Sequence, residues 1–323
     1  LSLHDALPIF DDGSSSKYKV VGNQLSFYPN RIHGNYAEKL MSVGIRDSEM
    51  QYAFFAYSGY RKVTTHAIKA IKEITTNPLE HALDFDASSN PSILIDWVAN
   101  QKTKEALALM RGDTDTAHQA AKTIKRIETI IEQITDSKIR FQLLDNPLRV
   151  TIEKDGITTD FDLLPDGMKS IISWISDLLM RMDRLKWKNN TDVLDRNFIL
   201  FLDEIDVHLH PAWQRKILPI VQDLFKNAQI FITTHSPFVV GSADGVWIHK
   251  LTTDGVNTIA HLPVLSENSK SYQLILDEIF DIRGLFGIEI EHKLREFQKI
   301  RNKLFHATTI TAEDRTELKM LVD

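Results

Sequence analysis

Phe198-Ile199-Leu200-Phe201-Leu202-Asp203-Glu204 runs five apolar residues straight into two acids. A short, wholly apolar run reads as a strand buried on both faces, the habit of parallel sheets. Open α/β sheets hold ligands at the carboxyl ends of their strands, which is where Asp203 and Glu204 fall. Two carboxylates there can divide the work of nucleotide hydrolysis. Asp203 would hold Mg²⁺ through its water shell, and Glu204 would orient and polarise the attacking water. Taken alone, the stretch reads equally well as a core strand ending in a solvated acidic turn.

Working outward, Gln229–Thr233 reads as a second apolar, buried strand and delivers Thr234-His235-Ser236-Pro237. A histidine at the tip of a neighbouring strand can donate a hydrogen bond to a γ-phosphate oxygen, so His235 joins the candidate set. Between the two strands, proline suits the first turn of a helix from Pro211 to about Lys226. Upstream, Leu164-Pro165-Asp166-Gly167-Met168-Lys169-Ser170 opens a helix expected over Gly167–Leu185. The amides of a helix N-terminus form an anion site, and Gly167 would let backbone approach a phosphate. An ordinary helix with Asp166 as its N-cap is the equal alternative.

Further out, Tyr18–Val21, Gln24–Tyr28 and Tyr52–Tyr57 read as strands. Ile93–Met110 and Thr116–Ile134 read as helices, the second with an apolar stripe through Ala120, Ile124, Ile127, Ile131 and Ile134. Asp155-Gly156 between Arg149–Lys154 and Ile157–Phe161 signals a hairpin. Val246–Leu251 reads as a third buried strand, with Asn257–Leu262 beside it. Two helices, Ser271–Phe280 and Glu289–Leu304, precede an acidic end. Alternating strands and helices in the C-terminal half argue for an α/β layer with parallel strands. The 323 residues hold 38 basic and 44 acidic side chains, which excludes a uniformly basic nucleic-acid binder. With no cysteine, disulfides, thiolate zinc sites and cysteine nucleophiles are excluded. No apolar run approaches the roughly 20 residues that span a bilayer, so a cytoplasmic protein without membrane contact is expected.

Together, Leu163–Leu185, Phe198–Glu204 with Asp206-Val207-His208-Leu209-His210-Pro211, and Thr233–Pro237 resemble the AAA_21/AAA_15-type ABC ATPases. These are relatives of the overcoming-lysogenization-defect ATPases and of Septu-type and retron-associated anti-phage ATPases. The resemblance spans most of Phe141–Leu251. It implies a P-loop NTPase fold of the ABC/SMC-head kind, a mixed α/β sheet flanked by helices with a small helical insertion. It implies ATP and Mg²⁺ as cofactors, with Asp203 as Walker B and Glu204 as catalytic base. Asp206–His210 would be the D-loop facing another subunit, Leu164–Lys169 the ABC signature, and His235 the switch histidine. Asp166, Gly167, Lys169 and Asp206 are then nucleotide-binding candidates in a head-to-tail, ATP-dependent dimer. Arg61, after the strand ending at Tyr57, has no firm role. A nuclease partner and DNA are the candidate further partners, in phage defence.

Two departures stand out. The usual signature serine is Pro165 here, and no G-x-x-x-x-G-K-[ST] phosphate loop occurs in the chain. Leu1–Ile9 (LSLHDALPI) matches the in-frame reading of an oligonucleotide resembling a sequencing adapter. It is therefore expected to be an assembly scar, with true N-terminal sequence missing and the fragment inactive alone. The expected plan is scar and tail over 1–16, remnant ATPase strands over 17–62, a helical insertion over 63–138, the ATPase core over 139–262 and a helical tail over 263–323. Competing readings are an SMC/RecF-like DNA-repair ATPase and a metal-dependent nuclease using Asp203, Glu204, Asp206, His208, His210 and His235. The basic residues Lys293, Arg295, Lys299, Arg301 and Lys303 read first as a solvated helix face, with DNA contact as the sharper option.

Overall fold

The structure is a computed structural model that describes residues 18–21, 24–27, 50–59, 68–85, 91–189, 191–255, 257–267, 269–282 and 286–306. The readings made for Leu1–Ile9, for Arg61 and for the acidic end fall outside those residues. The chain divides into two compact units, Leu1–Asn268 and Ser269–Asp323.

In the first unit, β1 (Tyr18–Val21) and β2 (Gln24–Phe27) form an antiparallel pair. The centre is a parallel three-stranded sheet in the order β3 (Ala53–Tyr57), β7 (Phe198–Leu202), β8 (Ala228–Ile232). The register pairs Tyr57 with Leu202 and Leu202 with Ile232, so all three strands end level. Phe55, Phe198, Leu200 and Leu202 are buried, each contributing about 1.5–3 kcal/mol relative to exposure. Phe198 packs edge-on against both Phe55 and Phe225. Across β7, Ile199 and Phe201 are only half-buried, and Phe201 stacks on Phe231 at 5.1 Å.

Helices α1 (Pro91–Met110) and α2 (Thr114–Thr135) form a hairpin against α3 (Asp166–Arg184). They turn over at Arg111–Asp113, where Asp113 accepts the Thr116 amide and Gly112 takes a positive φ. At 20 and 22 residues each helix is about 30 Å long, short of the long coiled coil that a repair ATPase would carry. Because α3 lies between this hairpin and the sheet, nearly every residue from Gly167 to Met182 is buried. Strands β4 (Ile139–Asp145), β5 (Leu148–Lys154) and β6 (Ile157–Thr159) form an antiparallel meander turning at Asp155-Gly156, as the sequence predicts. Helix α4 (Pro211–Leu224) links β7 to β8, and α5 (Pro237–Ser242) follows β8.

Three expectations need correction. Neither β7 nor β8 is buried on both faces as their apolar runs suggest: Ile199 and Phe201 are half-buried, and Gln229 and Phe231 of β8 are exposed. Val246–Leu251 is no third strand of the parallel sheet. It breaks into β9 (Trp247–Ile248) and β10 (Leu251–Thr253), which pair antiparallel with β12 (Val264–Leu265) and β11 (Thr258–Ala260). Trp247 is 65% exposed, so an apolar composition did not mean burial there. Helix α3 begins one residue earlier than expected. Pro165 stands at its N-cap without a side-chain cap, and Asp166 is the first helical residue.

The second unit contains α6 (Tyr272–Glu278), capped by Ser271, and α7 (Ile288–His306). On α7, Lys293, Arg295, Lys299 and Arg301 are exposed, and so are Ile290 and Leu294 of its apolar stripe.

Candidate functional site

The level strand ends bring Tyr57-Ser58-Gly59, Asp203-Glu204 and Thr233-Thr234-His235 to one edge of the sheet. Past Leu202 the ladder continues into the turn. The Asp203 amide donates to the Tyr57 carbonyl at 2.8 Å, and the Thr233 amide donates to the Leu202 carbonyl at 3.0 Å. The Thr233 hydroxyl donates to Asp203 Oδ1 at 2.7 Å and accepts the Glu204 amide at 2.8 Å. Asp203 and Glu204 are half-buried and His235 is exposed.

Glu204 has φ 46 and His208 φ 63. A left-handed conformation costs a non-glycine residue roughly 1–2 kcal/mol, so the turn that carries the acids stores strain at both ends. Surrounding bonds hold it. Ile205 N–H donates to the Thr233 carbonyl at 3.2 Å, Val207 N–H to the Glu204 carbonyl at 3.2 Å, and Leu209 N–H to the Asp206 carbonyl at 3.0 Å. Beneath Glu204 sits Gly59, where an added Cβ would lie 3.0 Å from Glu204 Oε2 and 3.1 Å from its Cβ. The glycine thus leaves room for the carboxylate at the end of β3.

Asp206 faces the strand-end histidine through that residue's backbone. Its Oδ1 accepts the Thr234 hydroxyl and, at 3.3 Å, the His235 amide. Gln214 of α4 binds the same two loops, donating to the carbonyls of Asp206 and Leu209 and accepting the Ser236 hydroxyl at 2.6 Å. Ser236 in turn caps α5 by accepting the amides of Phe238 and Val239.

The start of α3 meets this assembly at Gly167. A Cβ there would fall 2.4 Å from the His208 carbonyl oxygen and 3.3 Å from Trp213 Cζ3. The sequence suggests a phosphate approaching Gly167; in the structure the close neighbour is the chain's own backbone 41 residues on (208 − 167). The amides of Met168 and Lys169 both donate to the Pro165 carbonyl, so an anion at this terminus would rely on the amides of Asp166 and Gly167. Asp166 and Lys169 pair with each other at 3.2 Å.

Sequence reasoning missed the buried group behind the strand ends. Asp177 and Arg181 of α3 are 2% and 5% exposed and pair at 2.6 Å. The Tyr57 hydroxyl donates to the same Asp177 oxygen at 2.8 Å, and Arg181 also donates to the carbonyls of Pro78 and Glu80. Burial pushes the Asp177 carboxyl above its ordinary pKa, against the pull of Arg181 and Tyr57. The available signal was an Asp and an Arg at i, i+4 within the mostly apolar stretch Ile171–Met182.

Among the described residues, no three His, Asp or Glu side chains converge where they could hold a metal ion. His210 Nδ1 accepts the Ala212 amide at 3.2 Å to cap α4, and Asp206 is committed to Thr234 and His235. Among the described residues, no helix is long and apolar enough to cross a membrane.

The family described as "AAA domain, putative AbiEii toxin, Type IV TA system" matches residues 5–241. Among curated proteins, the chain is similar to "Retron Ec83 probable ATPase" of Escherichia coli, 33% identical over 40% of this chain and 24% of that protein. It is similar to "Septu protein PtuA" of Bacillus thuringiensis, 35% identical over 45% of this chain and 40% of the relative. "Retron Vc95 probable ATPase" of Vibrio cholerae is 28% identical over 66% of this chain and 41% of its own length. The chain thus spans between about a quarter and two fifths of these relatives. Among solved structures, an SMC ATPase is 15% identical with a TM-score of 0.38, over 54% of this chain and 99% of the other. These structural scores are too low to carry an argument.

Proposed function

The chain belongs to the AAA_21 family, and we propose that it supplies the water-activating side of an ATP site in an ATPase. The observation that carries this reading is the shared strand edge, where Asp203 and Glu204 are tied through Thr233 to the loop bearing His235. Carboxylate oxygens suit a hard dication such as Mg²⁺, which keeps several waters and takes other ligands from substrate phosphates. Such a cation, bound at Asp203, would neutralise charge on the phosphates. Glu204, set over Gly59, orients and deprotonates water, and exposed His235 donates to a γ-phosphate oxygen.

Asp166, Gly167 and Lys169 are the residues we assign to a nucleotide held by a second copy, head to tail, with Asp206 in the turn facing that copy. Their exposed ion pair is held weakly, so a phosphate can displace Asp166 from Lys169. The retron and Septu relatives support an output in anti-phage defence, through a nuclease partner or DNA engagement. A neighbouring HNH-nuclease or reverse-transcriptase gene is the observation that checks this output.

The 323 residues hold no G-x-x-x-x-G-K-[ST] sequence, so the test needs two forms: the chain alone and the chain joined to a segment carrying that loop. The expected result is Mg²⁺-dependent ATP turnover only in the joined form, abolished by Glu204→Gln. Turnover that survives Glu204→Gln would refute the assignment.

A further inference from the structure

Thr233 makes four hydrogen bonds to the end of β7 and the acid-bearing turn after it: its amide to Leu202, its carbonyl from Ile205, and its hydroxyl to Asp203 Oδ1 and from the Glu204 amide. We propose that the Thr233 hydroxyl is a positioning residue for hydrolysis, fixing the Asp203 carboxylate and the Glu204 backbone at once. The proposal rests on the reading of Asp203 and Glu204 as the acids of an ATP site.

The turn leaves a gap in the ladder that only such a group fills. Beyond Leu202 the chain bends into the left-handed conformation at Glu204, with φ 46. The Thr233 carbonyl, the next rung of the β7–β8 ladder, is taken by the Ile205 amide. The Glu204 amide therefore turns to a side-chain acceptor, and the same side chain donates to Asp203 Oδ1. A hydroxyl is both at once. Valine has the same shape and neither capacity, whereas serine keeps both.

The consequence reaches the reacting atoms through two other side chains. A bond to an ionised carboxylate is the stronger, charge-assisted kind. Fixing Oδ1 sets the plane of the Asp203 carboxylate, and with it the direction its other oxygen presents to a hydrated cation. Fixing the Glu204 amide keeps that residue left-handed, which sets its side chain over Gly59. Thr234, one residue on, bonds Asp206 instead, so the neighbouring hydroxyl does not duplicate the contact.

The test compares Thr233→Val and Thr233→Ser. In the 323-residue chain without nucleotide, hydrogen exchange at the Glu204 amide should quicken about tenfold or more in Thr233→Val, the loss of one bond's protection. It should stay within about threefold of wild type in Thr233→Ser. In the form carrying a phosphate loop, Thr233→Val should lower kcat by about 10–100-fold, the scale of a misplaced catalytic group. KM for ATP should be little changed, the Mg²⁺ concentration for half-maximal rate should rise, and Thr233→Ser should restore the rate. A merely structural role would not give that split or that rescue. Unchanged exchange in Thr233→Val overturns the proposal, as does an unchanged kcat in a form that Glu204→Gln inactivates. Wild-type protein without turnover in either form would remove the ATPase reading and the positioning role with it, leaving the exchange result to stand for the hydrogen bond alone.

Discussion

Replacing Gly167 by alanine puts a methyl group where the His208 carbonyl already lies. The new Cβ would fall 2.4 Å from that oxygen and 3.2 Å from the carbonyl carbon. Ordinary carbon–oxygen contacts are about 3.3 Å, so the two backbones must part by roughly 0.9 Å. His208 is already left-handed at φ 63, Leu209 is buried, and α3 is packed on all sides, so neither partner yields easily. Overpacking of this kind costs about 1–3 kcal/mol. The gain in helix propensity, at most about 1 kcal/mol in a helix interior, offsets part of it. The net expectation is a loss of about 1–2 kcal/mol, or ~2–4 °C in Tm for a unit of this size. Thermal and urea melts of the 323-residue chain read it directly. Gly287→Ala, where a Cβ meets nothing within 4 Å, serves as the control and should leave Tm nearly unchanged. A Gly167→Ala melt equal to or above wild type would refute the close approach.

Gly59→Ala presses on the Glu204 side chain rather than on backbone. Tm should fall less than for Gly167→Ala, while turnover in the loop-carrying form falls about tenfold or more; unchanged turnover would count against the seat of Glu204. Asp177→Asn leaves Arg181 charged and buried, and should cost about 3–5 kcal/mol, with the double replacement Asp177→Leu/Arg181→Met recovering much of it. A double-mutant cycle by denaturation measures this, and additive losses would refute the coupling. Asp192 is lowered to about 2: partial burial pushes its pKa up, but bonds from Arg126, the Leu194 amide and Lys122 outweigh it. A depressed carboxyl pKa adds stability that is present above the ordinary value of 3.8 and lost as pH falls through about 2. For this partly exposed group that is about 1 kcal/mol after solvent screening. Asp192→Asn should therefore melt lower than wild type at pH 5–7 and match it below pH 2; an equal gap at both would refute the assignment.

The parallel sheet was legible because β7 and β8 are short, mostly apolar runs, but the burial on both faces read from those runs is not met: Ile199 and Phe201 are half-buried, and Gln229 and Phe231 of β8 are exposed. The hairpin at Asp155-Gly156 was legible from local turn chemistry. Val246–Leu251 was not, since it breaks between strands of two and three residues and leaves Trp247 exposed. At Gly167 the sequence suggests room for a phosphate, whereas the structure sets the His208 carbonyl there, 41 residues away in the turn after β7 and beyond any local pattern. Asp177 and Arg181 were hidden for a different reason. An i, i+4 acid–base pair on a helix ordinarily faces solvent, whereas here it meets Tyr57 of β3 and the backbone at Pro78 and Glu80. The strand-end acids and His235 could be picked out by position, but the part Thr233 plays between them needed geometry.

Tyr57 holds two things at once: its carbonyl takes the Asp203 amide and its hydroxyl holds Asp177, each at 2.8 Å. It is a strut between the long helix and the strand end, anchored at the far side by the Arg181 bonds to Pro78 and Glu80. Sliding α3 along the strand end would have to part the buried Asp177 carboxyl from the Tyr57 hydroxyl, so that one side chain ties the position of the helix to the place where the acids begin.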